Sequence, residues 1–377
     1  MKTVCVVRNA EAQANSDIIR SIDAFTSIGM RPLILSRTRT TNSREKVIHK
    51  TIDHNGMTID NYEIQLSAEM DRGVRNLTNL HTYQRMVKDW LLKNSSLYDA
   101  IHAYDLDTGM PAMAAAKKLG KKFVYHISDF YVDSRSGIPG PVKPLVRQIE
   151  YNVINGADDT IICLEERREQ IKGSRPRKLH VIHNSPVDTI DLKGKGRSAD
   201  LSINLTYIGG LINVRFIKEI LEVVSKRKDF SLIIGGIGPM SELTEEYSRR
   251  YINIKYLGKV SYEDALNYYK DSDVMFAIYD PKVPNQKWSA PNKAYEAMML
   301  GKPIIVARDS GIDTIVEREG FGFVTDYDKE SFGRILDMIA KDPKLIRDKG
   351  LKAREAYTRY SWTAMKEIYK DIYSDMR

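Results

Sequence analysis

The segment from 289 to 311 carries the residues best suited to hold a phosphorylated ligand. Pro291 can begin a helix, and Asn292 and Lys293 follow in its first turn. The first turn of a helix presents unpaired backbone N–H groups and the positive end of the helix dipole, so it favours a phosphate. Lys293 would add a full charge, and Glu296 could accept hydrogen bonds from two ribose hydroxyls. The pattern indicates a nucleotide, while a plain capped helix with a dipole-complementing glutamate is the structural alternative.

A second anion-binding pattern is LTYIGGLINVRF, which predicts a strand, a glycine turn and the start of a helix. Gly209 and Gly210 let the backbone approach a ligand closely. Arg215 is placed to pair with a diphosphate through its planar guanidinium. A tight strand-to-helix connection would also use two glycines. Residues 232–243 form a further glycine-rich strand end, which includes Gly236.

Acidic and histidine side chains collect at two other predicted strand ends. His102, Asp105 and Asp107 lie in YDAIHAYDLDTGMPA, and His126 and Asp129 lie in KFVYHISDFYVDS. A hydroxyl that is to react needs a nearby polar or basic group, and a carboxylate or imidazole fits that role. Each of these residues could equally be a helix cap or a surface residue. We expect the pair Asp107 and Asp129 to face a substrate hydroxyl.

The elements that position these residues are short apolar runs alternating with amphipathic patterns, which is typical of βαβ units and a parallel sheet. The predicted strands are TVCVVRN, PLILS, AIHAY, KFVYHI and DTIICL, then INLTYIGG, FSLIIGG, IKYLG, VMFAIYD and KPIIVA. The predicted helices cover 16–28, 82–92, 111–119, 142–154, 216–226, 240–251, 262–270, a segment from about 292, and 360–376. Residues 38–67 are less regular, and we expect a loop with short strands there.

A composition break near residues 186–202, with proline, glycine and a charged run, indicates an interdomain linker. The chain has 377 residues, more than one hydrophobic core usually supports. We therefore expect an α/β protein with two facing Rossmann-like doubly wound domains and a cleft between them. We predict that residues 1–190 form a domain that binds the substrate with the reacting hydroxyl, and that residues 191–359 form a domain that binds the nucleotide ligand. Residues 360–377 are predicted to form a helix that packs back on the first domain.

The net charge of +8 suits anionic partners such as nucleotides or phospholipid surfaces. Basic residues are scattered and do not alternate with aromatics in a block, so we expect no nucleic-acid partner. No run approaches the roughly 20 apolar residues that span a bilayer, and the N-terminal apolar run is too short for a signal peptide. We expect a cytoplasmic protein in which Cys5 and Cys163 are reduced core thiols.

Three Asp-x-Asp strings could suggest a metal-bound ligand. Asp271 and Asp273 precede a predicted strand, so they should lie at the sheet edge away from the ligand. Asp328 is placed to cap the next helix, and the string from Asp105 to Asp107 lies in the other half of the chain. We therefore expect no metal and no separate cofactor.

The ordered set of motifs resembles glycosyltransferase family 4, a family of retaining enzymes with the GT-B fold, over nearly the whole chain. IGG-L-(x)3-R is similar to the motif whose cation grips the donor diphosphate, here Arg215. YLGKVS is similar to the turn whose backbone contacts the nucleobase, here Lys259 and Val260. APNK-(x)2-EAM-(x)2-GKPII resembles the helix whose closing glutamate binds ribose, here Glu296.

The resemblance implies metal-independent transfer of a sugar from a nucleotide-sugar with retention of configuration. We expect the donor to be a UDP-sugar. The resemblance also implies a glycan or lipid-linked acceptor in cell-surface polysaccharide synthesis, with contact at the inner face of the membrane. The candidate catalytic residues are Asp107, Asp129 and Arg215. The candidate donor-binding residues are Gly209, Gly210, Arg215, Gly236, Lys259, Val260, Pro291, Asn292, Lys293 and Glu296.

The sequence departs from the family pattern beside the sugar. Trp288 stands eight positions before Glu296, where the family carries a glutamate that contacts the donor sugar, and Gly210 stands where many relatives have arginine. Lys287 in that context favours an acidic sugar such as glucuronate, unless the lysine faces solvent. A nucleotide-sugar epimerase and a non-catalytic nucleotide-sugar-binding protein are the alternative functions.

Overall fold

The computed structural model describes residues 1–38, 45–66, 74–135, 137–187 and 202–376. Contacts divide the chain into two compact units, Met1–Ile182 with Met365–Arg377 and His183–Ala364. The predicted domain boundary at 190 lies outside the described residues. The predicted closing helix begins at Trp362, and its residues from Met365 onward belong to the first unit.

The first unit is built on an eight-stranded sheet in the order β3-β4-β2-β1-β5-β6-β7-β8. Its strands are β1 (Thr3–Val7), β2 (Arg31–Thr38), β3 (Val47–His54), β4 (Met57–Gln65), β5 (Ala100–Tyr104), β6 (Lys122–Ile127), β7 (Asp159–Ile162) and β8 (Leu179–Val181). Its helices are α1 (Ser16–Ser27), α2 (Val74–Lys93), α3 (Asp105–Leu119), α4 (Tyr131–Ser134), α5 (Lys143–Gly156) and α6 (Arg167–Gln170). Neighbouring strands run parallel except β3 and β4.

The second unit is built on a six-stranded parallel sheet in the order β11-β10-β9-β12-β13-β14. Its strands are β9 (Ile203–Ile208), β10 (Phe230–Gly235), β11 (Ile254–Tyr256), β12 (Val274–Ala277), β13 (Ile304–Ala307) and β14 (Gly322–Thr325). Its helices are α7 (Ile217–Val224), α8 (Ser241–Arg250), α9 (Tyr262–Lys270), α10 (Pro284–Lys287), α11 (Asn292–Leu300), α12 (Ile312–Glu319), α13 (Lys329–Lys341) and α14 (Lys344–Tyr360), and the chain ends with α15 (Trp362–Ile372).

The strand order of the second unit defines where a ligand can approach its sheet. From β9 the chain proceeds to β10 and β11 on one side, and from β12 it proceeds to β13 and β14 on the other. The switch point therefore lies between β9 and β12. In open parallel sheets, ligands bind outside the carboxyl ends of the strands at this point. The core beneath is apolar, with Leu205, Val274 and Phe276 fully buried.

The ten predicted strands are confirmed, but the predicted start of α3 at Pro111 is wrong, because the helix begins at Asp105. Gly109 and Pro111 have poor helix propensity, which suggested a break. Tertiary packing overrides that propensity. A Cβ added to Gly109 would lie 2.4 Å from the Tyr125 ring, so glycine lets α3 pack tightly on β6.

The expectation of an irregular segment at 38–67 is also wrong for the part the structure describes. β3 and β4 form an antiparallel hairpin, and β4 pairs in parallel with β2. Asn55 and Gly56 turn the chain with φ of 51° and 77°, the conformation that a two-residue hairpin turn requires. The Asn-Gly pair was the signal for this hairpin.

Two further observations concern cysteines and membrane spans. Cys5 and Cys163 are both buried and free, as predicted. Across the part of the chain that the structure describes, no helix has the length and apolar character needed to cross a bilayer.

Candidate functional site

Glycines hold the carboxyl ends of β9, β10 and β11 close together. The Gly209 N–H donates to the Gly235 carbonyl at 3.0 Å, and the Gly236 N–H donates to the Gly258 carbonyl at 2.6 Å. Gly236 has a φ of 127°, and a Cβ added there would lie 1.8 Å from the Gly209 carbonyl oxygen. The predicted residues Gly209 and Gly236 therefore form one cluster, and at Gly236 only glycine fits.

We expect Gly236→Ala to destabilise the second unit more than Gly120→Ala destabilises the first. Both glycines have positive φ, but a Cβ at Gly120 meets no atom within 4 Å. The extra cost at Gly236 should be about 1–3 kcal/mol, because its Cβ would overpack against backbone that cannot rotate away. Urea unfolding of both variants measures the difference, and equal losses would contradict the assignment of Gly236 to a close backbone contact.

Arg215 lies beside this glycine cluster, in the single 3₁₀ turn Asn213–Arg215 that precedes α7. Its guanidinium carbon lies 4.8 Å from the Tyr279 ring centroid, and its Nη1 donates to the Tyr207 hydroxyl at 3.3 Å. A Cβ added to Gly210 would lie 3.5 Å from Nη1, so the glycine turn is adjacent to the cation. Burial disfavours the charged guanidinium, but the oxygens of Tyr279 and Tyr207 stabilise it by more than this cost. The pKa of Arg215 therefore lies above its ordinary value.

Lys293 approaches the same turn from the start of α11. Pro291 occupies the N-cap of this helix without a side-chain cap bond, and Asn292 is its first residue. The Lys293 side chain is 8% exposed, and its Nζ lies 4.6 Å from the Tyr207 ring centroid. A Cβ added to Gly209 would lie 2.7 Å from Nζ. The helix N-terminus, its lysine and the glycine turn are therefore neighbours.

Tyrosine side chains stabilise the charged form of both cations, Arg215 and Lys293. Burial lowers the pKa of Lys293, and tyrosine hydroxyls around it, led by that of Tyr279, more than reverse this, so the pKa lies above its ordinary value. Among the described residues, neither Arg215 nor Lys293 pairs with a carboxylate. Two partly or fully buried cations without a counter-charge, next to a helix N-terminus, are suited to bind a multiply charged anion.

Glu296 lies one turn beyond Lys293 in α11 and is 4% exposed. The segment that leads into this helix is fixed by the residues that follow β8. Asn184 Nδ2 donates to the Ala290 carbonyl at 2.8 Å, and His183 Nδ1 lies 2.9 Å from the Tyr295 hydroxyl. These contacts lie within the second unit and hold the N-terminal part of α11 in place.

The turn after β11 brings Val260 to the glycine cluster. The Leu257 N–H donates to the Ile234 carbonyl at 2.9 Å, which holds the turn against β10. Val260 is half-buried, and its Cγ2 lies 2.7 Å from the position of a Cβ added to Gly235. Lys259 is exposed. The predicted nucleobase turn is thus beside Gly236, as the order of the motifs requires.

Lys287 and Trp288 stand where α10 ends. Lys287 is exposed, and its Nζ lies 5.2 Å from the Trp288 ring centroid. The indole therefore contacts the lysine in a cation–π arrangement.

In the first unit, Asp107 lies in the first turn of α3 and is 5% exposed. Its Oδ2 accepts from Asn9 Nδ2 at 2.7 Å and lies 3.5 Å from Arg135 Nη2. Its Oδ1 is buried and has no hydrogen-bond partner among the described residues. Asp129 is half-buried in the loop after β6, and its N–H donates to Asp105 Oδ1 at 3.0 Å.

Asp105 is the central carboxylate of this cluster. It has a φ of 57°, and its Oδ1 also accepts from the Ser128 N–H at 2.8 Å. Its other oxygen forms an ion pair with Arg8. Burial, opposed by Arg8, raises the pKa of Asp105 to about 6. The residue holds the loop that carries Asp129, so it positions one of the two predicted acceptor-side residues.

His102 and His126 are engaged with buried partners. His102 Nε2 lies 3.2 Å from His126 Nδ1, and its Nδ1 lies 2.9 Å from the Tyr373 hydroxyl. Burial lowers the pKa of His102 to about 3 and that of His126 well below its ordinary range. These contacts favour the structural alternative for both histidines.

The Asp-x-Asp strings of the second unit have structural contacts. Asp328 is the N-cap of α13 and accepts from the Ser331 N–H at 2.7 Å, as predicted. Asp273 accepts from the Asn204 N–H at 2.9 Å, at the amino end of β9. Within the described ranges, no group of three or more His, Cys, Asp or Glu residues is arranged to hold a metal ion.

Comparison with protein families decides the classification. Residues 203–342 match the model described as glycosyl transferases group 1, and residues 53–185 match the glycosyl transferase 4-like domain. The chain is a glycosyltransferase, with a group 1 domain in its second unit and a glycosyl transferase 4-like domain in its first. The first model covers β9–β14 and α7–α13, and the second covers β4–β8 and α2–α6, so the match extends to both halves of this glycosyltransferase.

A curated relative is the D-inositol 3-phosphate glycosyltransferase of Saccharomonospora viridis. It is 30% identical over 114 residues, which are 30% of this chain and 25% of the relative. The match thus spans a quarter of the length of that curated relative. It supports membership of the glycosyltransferases.

Solved structures establish the GT-B fold of the glycosyltransferase, with its two Rossmann-like domains. Sucrose-phosphate synthase from Thermosynechococcus elongatus has a TM-score of 0.76 at 16% identity and covers 100% of this chain and 99% of its own. HepE from Anabaena in complex with UDP-glucose has a TM-score of 0.71 at 14% identity and covers 100% of both chains. The UDP-forming trehalose-phosphate synthase from Burkholderia xenovorans has a TM-score of 0.75 at 10% identity and covers 99% of this chain and 100% of its own.

The predicted donor residues of this glycosyltransferase gather at the carboxyl edge of the second sheet. The sequence analysis missed the groups that hold them, which are Tyr207 and Tyr279 beneath the cations and His183 and Asn184 beside α11. The polar triplet HNS after the apolar strand β8 was a signal for the last two. The roles of the predicted residues in catalysis stay predictions.

Proposed function

We propose that the glycosyltransferase uses a UDP-sugar as donor, binds it in the second unit and transfers the sugar with retention of configuration. The observation that supports this is the pair of cations, Arg215 and Lys293, which flank the glycine turn without a carboxylate partner among the described residues. A nucleoside diphosphate supplies the missing negative charge. HepE, which shares the fold, was solved with UDP and with UDP-glucose, and this supports uracil as the base.

The proposed mechanism assigns each donor group a task. Arg215, Lys293 and the N-terminal N–H groups of α11 stabilise the charge that develops on the leaving diphosphate. Because these groups supply positive charge, we propose that the donor site works without a metal. Glu296 accepts hydrogen bonds from the ribose hydroxyls, and the backbone at Lys259 and Val260 contacts the base.

The acceptor is proposed to bind the first unit, near Asp107 and Asp129. Asp107 is oriented by Asn9 and Arg135, and the loop of Asp129 is held by Asp105. A glycan or a lipid-linked sugar offers the hydroxyl that such carboxylates orient. Synthesis of a cell-surface polysaccharide is the process we propose.

Ligand-induced stabilisation tests the donor. UDP-, GDP-, ADP- and TDP-sugars are compared by thermal shift, and a ligand at 100 times its Kd should stabilise the protein by about 2.7 kcal/mol. UDP-sugars should give the largest shift, and preference for another base would contradict the proposal. Release of UDP without acceptor would indicate an epimerase, and binding without turnover on any acceptor would indicate a non-catalytic protein. The anomeric signal of the product, measured by NMR, tests retention.

The sugar itself is tested through Lys287. Lys287 is exposed, which is the solvent-facing alternative to a role beside the sugar. A direct comparison of donors decides between that alternative and glucuronate as the donor sugar. UDP-glucose and UDP-glucuronate are compared in the wild type and in Lys287→Gln. Equal turnover of the two donors by the wild type would dispose of the acidic-sugar hypothesis.

We also propose that the start of α5 and the 3₁₀ turn before it, in the first unit, contact an anionic membrane surface that carries the acceptor. Val142 and Leu145 are 42% and 63% exposed, and Lys143 lies exposed between them. The neighbouring apolar residues Ile138 and Val146 pack partly against the core, so they are not available to contact a membrane surface. Burying one large aliphatic side chain contributes about 1.5–3 kcal/mol, and each cation near an anionic surface contributes about 1 kcal/mol.

We expect the double variant Val142→Ser, Leu145→Ser to lose binding to vesicles of phosphatidylserine and phosphatidylcholine. The wild type should co-sediment at low salt and be released at high salt, because the charge component is screened. Leu351→Ser is the matched control, since Leu351 is 61% exposed in α14 of the other unit. Absence of wild-type binding at low salt, or equal binding by both variants, would contradict the membrane contact.

A further inference from the structure

Tyr207 is the one side chain, among the described residues, that contacts the glycine turn and both cations of the donor site. It lies in β9 and has no exposed surface. Its hydroxyl donates to the Gly210 carbonyl at 2.9 Å and accepts from Arg215 Nη1 at 3.3 Å. Its ring lies 4.6 Å from Lys293 Nζ.

The geometry points to Tyr207 as the positioning residue of the donor diphosphate site, an inference that rests on the proposed function. A tyrosine hydroxyl has one proton, and here it is donated in the hydrogen bond to the Gly210 carbonyl. A lone pair of the oxygen therefore remains for the Arg215 guanidinium. One rigid side chain thus fixes the turn, the arginine and the lysine relative to one another.

The chemistry of tyrosine explains why this arrangement suits a ligand with several negative charges. A carboxylate at the same place would orient the cations, but it would also neutralise them and compete with the diphosphate. An aromatic ring and a neutral hydroxyl hold Lys293 and Arg215 while leaving their charge available. Tyr279 also holds Arg215 through an aromatic ring, with its ring centroid 4.8 Å from the guanidinium carbon.

The ring of Tyr207 is itself held firmly. It stacks on Phe276 of the neighbouring strand β12 with a centroid distance of 5.1 Å and an interplanar angle of 20°. Because both strands are buried in the sheet, the ring has no room to change rotamer without disturbing the core. The cations therefore stand on a rigid base at the switch point of the sheet.

The ring and the hydroxyl of Tyr207 have separable effects on binding. Tyr207→Phe keeps the ring under Lys293 and the stack on Phe276, but removes the hydrogen bonds to Gly210 and Arg215. We expect this variant to lose about 10-fold in affinity for UDP, because it loses a hydrogen bond to a charged group. Affinity for uridine, which has no phosphate, should change less than 2-fold. Tyr207→Leu removes the ring as well and should lose about 100-fold for UDP.

Calorimetric titration with UDP and with uridine measures this difference. The control is Tyr98→Phe, since buried Tyr98 lies in the first unit and its hydroxyl donates to the Leu91 carbonyl at 2.6 Å. A purely structural hydroxyl, like that of Tyr98, should affect UDP and uridine alike. The decisive quantity is the ratio of the UDP and uridine affinities.

The outcomes separate this inference from the proposed function. A fall of the affinity ratio in Tyr207→Phe, with the ratio unchanged in Tyr98→Phe, supports the positioning role. Wild-type protein that binds UDP, together with a Tyr207→Phe variant whose ratio is unchanged, overturns the inference and leaves the proposed function intact. Wild-type protein that binds UDP no better than uridine overturns both. Since Tyr207→Phe preserves the core ring, the decision does not depend on whether Tyr207→Leu folds.

Discussion

Arg215→Ala is expected to lower kcat by about 10²–10³-fold while the donor KM changes much less. The diphosphate gains charge as the sugar bond breaks, so a cation fixed beside it stabilises the transition state more than the bound donor. Removing one such preorganised group usually has an effect of this size. Steady-state kinetics with the preferred UDP-sugar measure both constants.

Two controls sharpen the Arg215 experiment. Arg215→Lys keeps a charge but loses the planar fork and the contact with the Tyr207 hydroxyl, so it should recover only part of kcat. Arg227→Ala removes an arginine of the same unit that pairs with Asp229 and Asp337 at the surface, and it should leave both constants unchanged. If Arg215→Ala raises KM and leaves kcat intact, Arg215 stabilises only the bound donor and not the transition state.

Glu296→Ala is expected to raise the donor KM by about 10–100-fold. Glu296 is almost fully buried, and a hydrogen bond between a charged group and a buried hydroxyl contributes about 1.5–3 kcal/mol. Glu296→Gln keeps one carbonyl oxygen and should have a smaller effect. Binding of UDP to each variant, measured by calorimetry, separates affinity from turnover.

A double-mutant cycle tests whether Glu296 contacts the ribose of the donor. The wild type is compared with Glu296→Ala using UDP and 2′-deoxy-UDP. If Glu296 binds the ribose, removing the 2′-hydroxyl should weaken binding to the wild type and have little effect on the variant. Equal losses in both proteins would contradict the ribose assignment and leave Glu296 as a structural residue.

The clustering of the proposed donor residues could be predicted because each of their motifs is local in sequence. The glycine turn with Arg215 and the helix start with Lys293 are each contained within about one strand–helix connection, so their spacing is visible without a fold. Tyr207 and Tyr279 were not predicted, because each lies at the end of a buried strand where an aromatic residue is expected in the core. Only the pairing of β9 with β12 shows that both rings face the cations.

The first half of the chain was harder to predict. Asp107 and Asp129 could be selected as carboxylates near strand ends, but the importance of Asp105 depends on its φ of 57° and on a loop that follows another strand. The hairpin of β3 and β4 was missed because both of its faces contain polar residues, so the alternation that marks a half-buried strand is weak. The start of α3 was missed because packing against Tyr125 outweighs the propensity of Gly109 and Pro111.

The contribution of residues 365–376 to the first unit has a consequence for how the protein forms on the ribosome. Tyr373 bonds to His102, Lys366 pairs with Asp23 at 3.3 Å, and Tyr369 packs edge-on against Phe25. Domains commonly fold in the order of synthesis, the N-terminal one first. Here the first unit lacks part of its own core until the final helix has emerged, whereas all residues of the second unit, His183–Ala364, are available earlier. The second unit is therefore the first that can fold completely, and the nascent first unit keeps part of its apolar core exposed until α15 has been synthesised.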